Sequence, residues 1–190
     1  MSDPLNLMLS ILAALGLAAA CGFRVFVPLL VVSLAARAGW IGLSPGFAWI
    51  GSTPALACLG LATALEVGAY YVPWLDNLLD SIATPAAVVA GIVVSAAVMS
   101  EVDPWLRWTL ATIAGGALAA AVQIPTVAVR GLSTGTTGGV ANPLVATGEL
   151  AASSTLSGLA LFLPLLIPLA VLIAVFAVWR RFRQTEPAVA

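Results

Sequence analysis

A single carboxylate, Glu66, stands inside the apolar run from Pro54 to Val72, and it constrains the chain more than any other residue. A membrane segment keeps an ionisable group only where that group faces a protein interior or a water-filled cavity. The run therefore predicts a bundle with an interior rather than a lone helix in lipid. After Pro73, Asp76 and Asp80 follow at i and i+4, so a helix over Trp74 to Ser81 puts both carboxylates on one face.

Apolar segments recur at about 5–36, 54–72, 82–99, 105–124 and 156–179, most of them near or above the roughly 18 residues that signal a membrane crossing. Charged residues make up 8% of the chain, against about 25% in an ordinary soluble domain. The expectation is one all-α integral membrane domain over 1–190, a helical bundle of five or six transmembrane segments with broken helices, surrounded by the lipid bilayer. The count depends on residues 5–36. Interrupted by Gly22-Phe23-Arg24 and by Pro28, they form either a helical hairpin or one broken crossing. The first run lacks a basic leader, which argues for mature protein rather than a cleaved signal peptide.

The formal charge of −1 carries no signal for nucleic acid. Arg180, Arg181 and Arg183 predict a cytoplasmic C-terminus in a bacterial inner membrane by the positive-inside rule. Counting back, Arg37 and Arg107 fall on the cytoplasmic side and Asp76 and Asp80 on the outer side. With no His and no closely spaced Cys pair, the usual zinc and haem ligand sets are missing. No cofactor is expected, and a metal would have to be a hard cation held by oxygen. Cys21 and Cys58 read as small hydrophobes, and the six Trp beside segment ends as an aromatic belt.

Three stripes of small residues predict close helix contacts: Gly60, Ala64, Gly68; Ala83, Ala87, Gly91, Ser95; and Ala111, Gly115, Ala119. Glu66 lies opposite the first stripe, which predicts a central place for its helix. Pro125 to Pro143, with Gly131, Gly135, Gly138 and Gly139, reads as a long ordered loop or a re-entrant segment. Pro164 and Pro168 predict a kink in the last apolar run.

The chain also carries hints of duplication. Leu17-Ala18-Ala19-Ala20 ahead of Arg24 matches Leu118-Ala119-Ala120-Ala121 ahead of Arg130, and Ala62 to Glu66 resembles Ala146 to Glu149. Each half then supplies one Arg and one Glu. If residues 5–36 cross once, the halves are inverted, as in many transporters; if they cross twice, that symmetry fails.

Gly22-Phe23-Arg24 ahead of a Pro-interrupted helix, the intramembrane Glu66, the run Pro73-Trp74-Leu75-Asp76-Asn77-Leu78-Leu79-Asp80, Thr84-Pro85 and Gly91, and Asn142-Pro143 before Glu149 together resemble the bacterial membrane family known as domain of unknown function 4126. The resemblance implies a small polytopic inner-membrane protein and brings with it no activity or catalytic residue. From the residues, the leading expectation is a small transporter or channel, a homo-oligomer, moving an ion or small solute along a pathway lined by Glu66, Glu149, Arg24, Arg130 and Asn142, with Asp76 and Asp80 at its outer mouth. The rival is a non-catalytic membrane assembly or scaffold protein, in which the same charges lock helices together. An enzyme is not expected, because no nucleophile stands beside a base.

Overall fold

A computed structural model describes residues 3–166 and 180, with the side chains of 73, 74, 76, 77 and 80 outside that description. The described chain is helical, without strands. Helix α1 (Pro4–Cys21) is followed after a short break by α2 (Phe26–Arg37). A loop with a 3-10 turn at Ala48–Gly51 leads to α3 (Thr53–Ala69), and α4 spans Pro73–Val98. Next comes one long rod of α5 (Pro104–Leu110), a π segment (Ala111–Gly115) and α6 (Gly116–Thr137). Helix α7 (Asn142–Phe162) closes the bundle. Proline sits in the first turn of α1, α3, α4, α5 and α7, where its missing N–H costs nothing and its fixed φ suits the helix. Asp3 and Ser52 cap α1 and α3 by accepting from Leu5 and Ala55.

The centre of the bundle is α1, packed against α4, α6 and α7, with Ala14, Leu17, Ala18, Ala20 and Cys21 fully buried. Serine hydroxyls tie neighbours to it: Ser95 donates to the Ala14 carbonyl at 3.2 Å and Ser153 to the Ala20 carbonyl at 3.0 Å. In lipid these bonds and close van der Waals packing hold helices together, because the hydrophobic effect between helices is absent. The expected stripes of α4 and of the α5–α6 rod meet each other. A Cβ on Gly91 would stand 2.7 Å from the Ala119 Cβ and 3.0 Å from the Gly115 carbonyl oxygen, and one on Gly115 would stand 2.6 Å from the Ser95 hydroxyl.

The stripe on α3 behaves differently. Nothing lies within 4 Å of where a Cβ would stand on Gly60 or Gly68, and Ala64 is exposed. Helix α3 packs chiefly on α2 and is peripheral, contrary to the central place expected for it. The expectation took Glu66 to need protein on every side, whereas its helix needs protein only on the Glu66 face.

Residue pairings fix the course of the chain. Helix α4 runs antiparallel to the α5–α6 rod, since Ser95 meets Gly115 while Gly91 meets Ala119. Ser95 also meets Ala14, and Gly22 meets Ala119 and Val122, so α1 is parallel to the rod. Residues 5–36 therefore form two helices, and the segments Leu17–Ala20 and Leu118–Ala121 point the same way, so the inverted relation does not hold for them. Among the described residues, four helices are long and apolar enough to cross a membrane: Pro4–Cys21, Ser81–Val98, Pro104–Thr137 and Asn142–Phe162. Against the five or six expected, α2 and α3 have only 12 and 17 residues, about 18 and 26 Å at 1.5 Å per residue.

Residues 125–137 are helical rather than the expected loop or re-entrant segment. Thr126 donates to the Gln123 carbonyl beside Pro125, and Thr136 and Thr137 donate to the carbonyls of Leu132 and Ser133, while left-handed Gly138 and Gly139 end the helix. Helix α7 stops at Phe162, before Pro164, and the rest of the last apolar run, with Pro168, lies outside the described residues. Trp40, Trp49, Trp105 and Trp108 are all exposed at one end of the bundle, as expected of an aromatic belt.

The two kinds of stripe should respond in opposite ways. Gly91→Ala forces Ala119 and the Gly115 backbone apart and should lower stability by about 1–3 kcal/mol, whereas Gly60→Ala should leave thermal unfolding of the detergent-solubilised protein unchanged or slightly raised.

Candidate functional site

The break at Gly22–Val25 brings Arg24 into the interior, 1% exposed. Parallel to α1, the α5–α6 rod carries Arg130 to the same end, also 1% exposed. The two cations converge on one carboxylate. Arg130 grips Glu149 in a fork, Nε donating to Oε1 at 3.0 Å and Nη2 to Oε2. Arg24 Nη2 lies 3.5 Å from Glu149 Oε2 and donates to the Ala146 carbonyl at 2.7 Å. The guanidinium carbons of Arg24 and Arg130 lie 4.0 and 3.9 Å from the centroid of the Tyr70 ring, within the range of a cation–π contact. Four parts of the fold, the α1–α2 break, α3, α6 and α7, thus meet at one buried cluster.

Glu66 lies beside this cluster, with a different partner from the one its charge suggests. Its two carboxylate oxygens accept from the backbone N–H groups of Val25 and Phe26 at 2.7 and 3.1 Å. Those N–H groups begin α2, and a carboxylate there is favoured by both hydrogen bonding and the helix dipole. The ion pair of Arg24 is with Glu149; with Glu66 it interacts only through the electrostatic field.

Asn142 is buried two turns ahead of Glu149 on α7, its amide donating to the Thr134 hydroxyl at 2.9 Å, so it ties α7 to α6. Asp76 and Asp80 fall in the first turns of α4, which is helical there as expected; their side chains lie outside the described residues. Asp76 and Asp80 sit at the end opposite Arg37 and Arg107, so the relative placement of these charges follows the expectation. Among the described residues, no group of three His, Cys, Asp or Glu could hold a metal ion.

Tyr70, 5% exposed, went unread in the sequence. Its spacing of four from Glu66 was the available signal, since i and i+4 share a helix face. Glu66 and Tyr70 border a cavity of about 500 Å³ between α2, α3 and α4, walled otherwise by apolar side chains such as Phe26, Leu65 and Leu79. A second cavity, of about 770 Å³, lies at the opposite end among Asn6, Trp40, Glu101 and Phe162, far from the charged cluster.

The site and bundle together define a class: an all-helical membrane protein whose interior holds two arginines on one shared glutamate. The chain belongs to the family described as domain of unknown function DUF4126, whose model matches residues 11–184. No curated protein and no solved structure matches it.

Removing the shared carboxylate should be costly. Glu149→Gln takes the shared carboxylate away from two buried guanidiniums, and a loss of about 3–5 kcal/mol is expected for a broken buried pair. Glu66→Gln keeps one carbonyl acceptor for α2 and should lose less; denaturation of both variants in the same detergent checks the order.

Proposed function

We propose that the chain is a small transporter or channel for an ion or small solute, with its pathway passing the cluster of Arg24, Glu66, Arg130 and Glu149. The observation that carries this reading is the burial of that cluster at a helix break. Charges inside a membrane bundle are expensive and mark substrate or ion pathways, and interrupted helices expose backbone groups to bind what passes. Asn142 lines the same end of α7, and Asp76 and Asp80 stand at the outer mouth. The exposed apolar face of α3, with Gly60, Ala64 and Gly68, suits contact with a second copy in a homo-oligomer. The protein sits in the inner membrane with its C-terminus in the cytoplasm and carries out no catalysis.

One observation favours the rival scaffold reading: the fork between Arg130 and Glu149 is the geometry of a pair that locks helices. Flux separates the two. Proteoliposomes of the purified protein should pass a member of a panel of cations, anions and small neutral solutes above the protein-free rate, and a null result across the panel leaves the scaffold. For topology, a reporter fused after Ala190 should be active in its cytoplasmic form, as the terminal arginines require.

A further inference from the structure

The cavity of about 500 Å³ beside the charged cluster has the make-up of a small-molecule site. Such sites are concave and mostly apolar, with a few polar groups that fix the orientation of the ligand. Phe26, Leu65, Leu79, Ile82 and Ala86 supply apolar wall from α2, α3 and α4, and Glu66 and Tyr70 supply the polar side chains. Both of these are more than nine-tenths buried, at 8% and 5% exposed. Leu65 and Ile82 line the cavity and also stand exposed, so it opens between α3 and α4, toward lipid in a bundle that spans a membrane. What enters it comes from the bilayer.

Glu66 decides what kind of molecule fits. An ionised carboxylate has about four lone-pair positions, and the N–H groups of Val25 and Phe26 take one on each oxygen. Among the described residues no other group donates to Glu66. The wall therefore offers spare acceptor capacity and calls for a donor. The charge of Glu66, by contrast, is met from the protein side, since Arg24 and Arg130 both act on it through the field. Those guanidiniums, packed on the Tyr70 ring that borders the cavity, would repel a cation placed there. An anion would meet the Glu66 carboxylate itself. A neutral hydroxyl meets neither obstacle, and an acceptor in the cavity removes most of the cost of bringing it into an apolar site.

We propose that this cavity binds a neutral, membrane-soluble amphiphile with a hydroxyl headgroup. The hydroxyl donates to Glu66, the apolar body lies against Phe26, Leu79 and Ala86, and the tail leaves between Leu65 and Ile82. One carboxylate then holds the start of α2 and the head of the ligand together. The site stands whether or not the bundle conducts a solute, so it goes beyond the pathway reading and is not decided by flux.

The test uses the purified full-length protein in lipid nanodiscs. Its thermal unfolding is followed with para-octylphenol, with the methyl ether of that phenol and with octylammonium, each at the same mole fraction of the lipid. A ligand that binds only the folded state raises the unfolding temperature. The phenol should bind at least about tenfold more tightly than the ether, a factor that one hydrogen bond to a charged group can supply. Ala86→Phe, which fills the cavity and leaves the charged groups alone, should abolish that preference, and Glu66→Gln, whose one carbonyl oxygen is still needed by α2, should narrow it. Equal shifts from phenol and ether overturn the proposal, since they report an apolar filler. A larger shift from octylammonium overturns it in favour of a cation site. A preference for the phenol that survives in Ala86→Phe puts the binding elsewhere and overturns it as well; Ala62→Phe, on the α3 wall, gives the same reading where Ala86→Phe does not fold.

Discussion

Two buried guanidiniums on one carboxylate set the terms for the rest of the molecule. Glu149 meets the charge of both Arg24 and Arg130 inside the bundle, and it reaches both only if α7 packs against α1 and α6 at once. Tyr70 adds α3 to the same point. The cluster therefore dictates helix register as well as charge. All the basic residues of the chain are arginine, and lysine would not serve at this cluster: a planar guanidinium can fork onto a carboxylate while stacking on an aromatic face, whereas an ammonium is a strongly hydrated point charge.

Legibility in the sequence followed the range of the interaction. The α4 and α5–α6 stripes were readable because small residues at four-residue spacing state a local fact, and their mutual contact at Gly91 and Gly115 follows once both helices exist. The same pattern on α3 misled, since a stripe says that a helix can be approached closely but not that this chain supplies the partner. Gly131 and Gly135 suggested a loop over residues that are helical, because the threonine hydroxyls that satisfy the helix carbonyls there weigh little in a reading by composition. The convergence of Arg24, Arg130 and Glu149 could be listed from residue type and depth. The choice of Glu149 rather than Glu66 as Arg24's partner depended on where α2 begins, which is a matter of backbone geometry.

That geometry explains how irregular backbone survives at this depth. Non-helical chain inside a membrane protein is tolerated only where its polar groups find partners. At the α1–α2 break a side chain of α3 supplies two acceptors, and the Ala20 carbonyl just before it receives the Ser153 hydroxyl of α7. The break is held from two sides by helices that also carry the charged cluster or border it, so backbone irregularity and buried charge support one another.

The π segment at Ala111–Gly115 has a consequence for the long rod it interrupts. Buried positions along that rod recur every four residues, at Ala111, Gly115, Ala119 and Gln123. A helix of 3.6 residues per turn advances by 400° over four residues, so such a row drifts around the axis by about 40° at each step. A wider turn, closed by i to i+5 bonds, uses up more residues per revolution and removes part of that drift. The segment works as a phase corrector: it brings Ala111, at its start, onto the face that Gly115 and Ala119 continue, with Gly115 and Ala119 set against Gly91 of α4.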